Sequence, residues 1–184
     1  MMRFPRLGQL WSRYDLRGRD LRTVDVRTAL RDGGSALVCL PGDPAQHASA
    51  LEVCDRLFTW FAPITPVWLR AKEQVAPLPE SAAGRVIEFS DAVNWVGLPH
   101  RRVVRHVQAL APQVAVDLNP EFSLATAALC VESGATLRIG FGASESGHFN
   151  LVYAWWDDGI PLALAKHYER FLALLADLST SADV

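Results

Sequence analysis

From Ser35 onward, short apolar runs alternate with longer stretches in which apolar residues recur every three or four positions. That alternation predicts βαβ units around a parallel sheet. Residues 35–40 (Ser-Ala-Leu-Val-Cys-Leu) lack any polar alternation and read as a first strand buried on both faces. A helix follows over 46–60, turning Ala50, Leu51, Cys54, Leu57 and Phe58 inward. Strands are expected at 66–69 and 85–89, separated by a Pro-rich connection. Residues 98–110 set Val103, Val104, Val107 and Leu110 against Arg101, Arg102 and Arg105, which predicts an amphipathic helix with a basic outer face.

Further strands read at 114–117, 137–141 and 149–155, the last at a sheet edge, with a helix of small residues over 122–132. Residues 162–178 carry Leu164, Tyr168, Phe171, Leu172 and Leu175 on one broad face and form a closing helix. The expected fold is therefore α/β: a single Rossmann-like domain over 35–178, with a mostly parallel sheet of five to six strands and helices on both faces. Residues 179–184 read as a disordered tail.

Residues 1–34 break this pattern. Eight arginines there are interleaved with Asp15, Asp20, Asp25 and Asp32, giving a polar, partly helical leader. Within it Leu7, Leu10, Trp11 and Tyr14 fall at helical spacing and make one apolar stripe. Such a stripe packs on its own domain, docks on a partner, or touches a membrane surface. The interleaved acids weaken the membrane reading.

Composition narrows the partners. With 184 residues, half of them hydrophobic, the chain is long enough for one sizeable core. A formal net charge of −2 argues against general nucleic-acid binding. Cys39, Cys54 and Cys130 are odd in number, widely spaced and set in apolar segments, which speaks for buried reduced thiols rather than a disulfide framework or a metal site. No stretch has the length and apolarity of a signal peptide or a membrane span, so a cytoplasmic protein is expected.

The first strand runs through Pro41 into Gly42-Asp43 at a helix start, and a later strand ends in Asp117-Leu118-Asn119 before the small-residue helix and the Arg138–Phe141 strand. In order and spacing these segments resemble the amino-terminal, acceptor-side half of family 9 glycosyltransferases, the bacterial heptosyltransferases. The likeness covers about 140 residues. Members of that family are roughly twice as long and carry a second Rossmann-like domain that binds the nucleotide-sugar. The resemblance thus implies a half domain without the donor site. It also implies a general-base role for the Asp of the Gly-Asp pair, here Asp43, with Asp117 and Asn119 lining the same crevice.

The residues themselves also support structural roles. Flanked by Pro41 and Pro44, Asp43 suits a cap on the following helix, and Asn119 before Pro120 suits another. Gly140, Gly142 and Gly147 do not make a dinucleotide fingerprint, since Glu145 occupies the third glycine position and the motif follows a late strand. Ser144, Ser146 and His148 lack an acid partner for a triad. His47, His100, His106, His148 and His167 are too dispersed for a metal site, and no cofactor is expected.

Two functions follow. The leading one is a non-catalytic, transferase-derived binding or assembly subunit, in a homo-oligomer or with a protein partner, contacting it through Trp95, Trp155 and Trp156 or the apolar leader stripe. The second is the acceptor-binding half of a split glycosyltransferase whose donor domain lies on another chain. Gly42, Asp43, Asp117 and Asn119 are the candidate ligand-binding residues for either.

Overall fold

A computed structural model describes residues 23–70, 80–142, 147–154 and 163–180. Its centre is one six-stranded sheet, β1 (Ala36–Cys39), β2 (Ile64–Arg70), β3 (Ile87–Ser90), β4 (Val114–Asp117), β5 (Leu137–Phe141) and β6 (Leu151–Tyr153). The order is β3-β2-β1-β4-β5-β6, and every pairing is parallel. The α/β Rossmann-like reading therefore holds, with the sheet parallel throughout.

Alternate residues of the inner strands enter two separate cores, as the two-residue period of a strand dictates. Val38, Val116 and Ile139 pack with Leu30, Leu57, Phe171 and Leu175 on one face. That face is covered by α1 (Val26–Asp32), α2 (His47–Leu57) and α5 (Leu164–Thr180). Leu37, Cys39 and Ala115 pack on the other with Val103, Val107, Ala127 and Cys130. Those come from α3 (Arg101–Ala109) and α4 (Leu124–Glu132).

Several elements differ from the sequence reading, each for a local reason. Helix α2 stops at Leu57, so Phe58 does not turn inward but stands 54% exposed, while Val53 joins the core in its place. β2 begins at Ile64 and includes Pro66. Pairing with β3 starts only at Val67, so the missing proline N–H leaves no gap in that ladder. His100 lies at the cap of α3 rather than within it, and β6 keeps only three residues at the sheet edge.

Part of the arginine-rich segment folds onto this domain. Asp25 caps α1 by accepting hydrogen bonds from the Arg27 and Thr28 amides at 3.0 and 3.3 Å. Leu30 is then buried beside α5, where removing such a side chain from water contributes about 2 kcal/mol. Helix α5 continues through Ser179 and Thr180, two residues assigned above to the tail. Leu7, Leu10, Trp11, Tyr14, Trp155 and Trp156 lie outside the described residues.

Candidate functional site

In an open parallel sheet, ligands favour the carboxyl ends of the strands where the connections diverge to opposite sides. Here that point lies between β1 and β4, which pair directly. The loop after β1 begins with buried Leu40 and Pro41 and emerges at exposed Gly42 and Asp43. The Asp43 carboxylate accepts a hydrogen bond from the Ala45 amide at 3.0 Å and caps the short 3-10 turn Pro44–Gln46. The capping role read from the prolines is the one observed.

Behind this loop, His47 is buried and its Nε2 lies 2.9 Å from the Pro41 carbonyl. A carbonyl only accepts, so Nε2 carries the proton. Burial lowers the pKa of this imidazole, opposed by its bond to Pro41, and the ring packs edge-on against Trp68 with centroids 4.9 Å apart.

At the end of β4, Asp117 and Asn119 form a closed polar node. Asp117 Oδ1 accepts from the Asn119 amide at 3.1 Å and from its side-chain Nδ2 at 2.6 Å. Its Oδ2 accepts from the Thr126 hydroxyl at 2.7 Å. Asn119 Oδ1 in turn accepts from the Gly42 amide at 3.0 Å, which binds the two strand-end loops together. Burial pushes the Asp117 carboxyl up to about 6, against the pull of its bonds from Asn119 and Thr126.

Asn119 is thus not the cap of α4. Ser123 takes that role, accepting from the Thr126 amide at 3.4 Å, because the helix starts at Leu124 and Pro120 precedes it by four residues. Asn119 instead is only 7% exposed, with its side chain directed inward to Gly42 and Asp117.

No protein-family model, curated protein or solved structure matches this chain. What the site does chemically must therefore be read from its own geometry. Gly42, Asp117 and Asn119 are brought together, whereas Asp43 is exposed and turned to the Ala45 amide.

Other residues complete the node. Tyr168 of α5 donates its hydroxyl to the Leu118 carbonyl at 2.8 Å, so the closing helix also grips the end of β4. Gly142 has a φ of 84°, and a Cβ there would come within 2.3 Å of the Pro120 carbonyl oxygen. Only glycine permits that approach of the β5 and β4 loops. Gly140 lies within buried β5, and His148 is buried beside Phe122. Ser144, Glu145 and Ser146 lie outside the described residues.

Sequence reasoning missed Thr126, Tyr168 and His47 as members of the node. A threonine in a helix of alanines was the available signal, since a hydroxyl buried there needs a partner. It also missed that Cys39 Sγ and Cys130 Sγ approach to 3.8 Å beside the node, with the Cys39 thiol held well above its ordinary range by its bond to Cys130 and by burial. Trp95 is 59% exposed. Among the described residues no cluster of His, Cys, Asp and Glu is placed to hold a metal ion, and no helix is long and apolar enough to cross a membrane.

Proposed function

We propose that this chain is a non-catalytic binding or assembly subunit on a glycosyltransferase-type half domain, working in the cytoplasm as part of a larger protein complex. The observation that carries this reading is the closure of the switch-point node. A general base must come within hydrogen-bond reach of its proton. Asp117 has a pKa suited to that work but is 5% exposed, with both oxygens engaged by Asn119 and Thr126. Its polar atoms serve the fold.

The outward surface supports the same reading. Trp95 in the loop before α3 and Phe58 at the end of α2 are the large apolar side chains left exposed among the described residues. Large exposed aromatics are the usual anchors of protein contacts. Trp95 stands at the carboxyl edge of the sheet and Phe58 at the opposite edge, since α2 runs back antiparallel to β1.

One observation favours the split glycosyltransferase. Asp43 is exposed at the carboxyl end of β1, and only its Oδ1 is used in capping, which leaves Oδ2 open to an acceptor hydroxyl. Calorimetry with nucleotide-sugars and native mass spectrometry of the untagged protein from its own cells separate the two. Stoichiometric association with another protein and no heat with any sugar is the expected result. Saturable binding of a nucleotide-sugar to the isolated chain would overturn the assembly reading.

A further inference from the structure

Away from the β1–β4 node, at the carboxyl end of β3, an open cavity of about 340 Å³ is lined by Asp91, His100, Arg101 and Arg102. That volume falls at the lower end of small-molecule sites, which span roughly 300–1,000 Å³. Three consecutive lining residues carry basic side chains. They stand at the start of α3, whose first turn contains no acidic residue. Helix dipoles make this end positive, so the fold by itself would favour carboxylates here. Cations have been set against the dipole instead.

Among the described residues nothing neutralises them. Arg101 is exposed and makes no hydrogen bond or ion pair with any described residue. Arg102 is oriented by donating Nη2 to the Ser90 and Asp91 carbonyls at 2.7 and 3.0 Å, which are neutral acceptors. Its remaining N–H groups are left for another acceptor. Among the described residues Asp91 is the only carboxylate in the lining and forms no ion pair with either arginine, while Glu88 on β3 is paired with Arg70. His100 supplies no side-chain cap to the helix.

We propose that this cavity binds a phosphoryl group. Arg101 and Arg102 supply the charged donors, the His100 ring an N–H donor, and the main-chain amides of Arg101 and Arg102 the rest. A phosphate at this position would offset guanidinium charge set at the positive end of the helix dipole. The cavity has room beyond a phosphate for a sugar-sized body.

Calorimetry and amide spectra of the full chain, with inorganic phosphate, phosphorylated ribose and free ribose as probes, test the proposal. The expected result is binding of one or both phosphate-bearing probes, none of free ribose, and shifted amides confined to residues 91–103. Tighter binding of phosphorylated ribose than of inorganic phosphate assigns a phosphorylated metabolite; the reverse assigns the free ion. Arg101→Gln, whose side chain has no structural partner, should weaken binding by about tenfold or more with an unchanged urea midpoint. His100→Asn should weaken it less. Failure of both phosphate probes to bind at low salt, or undiminished binding by Arg101→Gln, would overturn the assignment.

Discussion

Asn119 accepts a hydrogen bond from the main-chain amide of Gly42 at 3.0 Å, across 77 residues of sequence. Through that bond and the one to Asp117, a single buried amide side chain joins the ends of β1 and β4 at the point where the sheet's connections diverge.

Removing it should be costly. Asn119→Ala removes the side-chain bonds to the Gly42 amide and to Asp117 Oδ1, while Asp117 keeps the residue-119 main-chain amide and the Thr126 hydroxyl; losing partners within a buried polar network costs about 1–3 kcal/mol each. A loss of about 2–4 kcal/mol in urea unfolding is expected. A loss below about 0.5 kcal/mol would mean that the node contributes nothing to the fold.

Asp117 gives the protein a defined pH response. Its folded-state pKa of about 6 lies above the ordinary 3.8, so the folded chain binds this proton more tightly than the unfolded chain. Its stabilising contribution is complete below about pH 4 and is lost as pH rises through about 6. The loss amounts to about 3 kcal/mol at 1.4 kcal/mol per unit. Asp117→Asn keeps the acceptor for Asn119 and removes the titration. Subtracting its stability profile from that of the wild type should expose a slope confined to this window; a flat difference would refute it.

The three thiols should be silent in the folded protein. Cys39, Cys54 and Cys130 are buried, and burial pushes Cys54 up to about 12. Because the thiolate is the reacting species, an alkylating reagent at pH 8 should label none of them within hours and all three in denaturant. Labelling of any thiol at the rate of a free cysteine would contradict this burial.

Trp95 separates surface from core. Its replacement by Ala removes no packed neighbour of the two cores, so the melting midpoint should stay within the range of about 0.5 kcal/mol typical of surface changes. In the assembly reading the same change should sharply weaken the partner complex seen by native mass spectrometry. Intact association in Trp95→Ala would exclude Trp95 from the interface.

The local pattern of residues was enough for the fold. Short, largely apolar runs at 36–39, 114–117 and 137–141, broken only by Asp117 and Arg138, read directly as buried parallel strands, because strands covered on both faces carry no regular polar alternation. Asp43 was legible as a cap for the same reason: its partner, the Ala45 amide, is two residues away. At boundaries the pattern misled. Phe58 continues the apolar period of α2, yet the chain leaves the helix one residue earlier and exposes it.

The candidate site was decided by tertiary structure. Asp117 and Asn119 were visible as polar residues at a strand end, and only their burial against Thr126 and Gly42 turned an apparent crevice lining into a closed node. Cys39 meets Cys130 across 91 residues and Tyr168 meets Leu118 across 50. Contacts at such separations leave no periodicity in the chain, because nothing local requires either partner. The sequence by itself determined which faces are apolar and hence a parallel sheet between two helical layers. Which polar groups those layers enclose, and which, like Arg101, they leave without a counter-charge among the described residues, was set when distant strand ends were brought together.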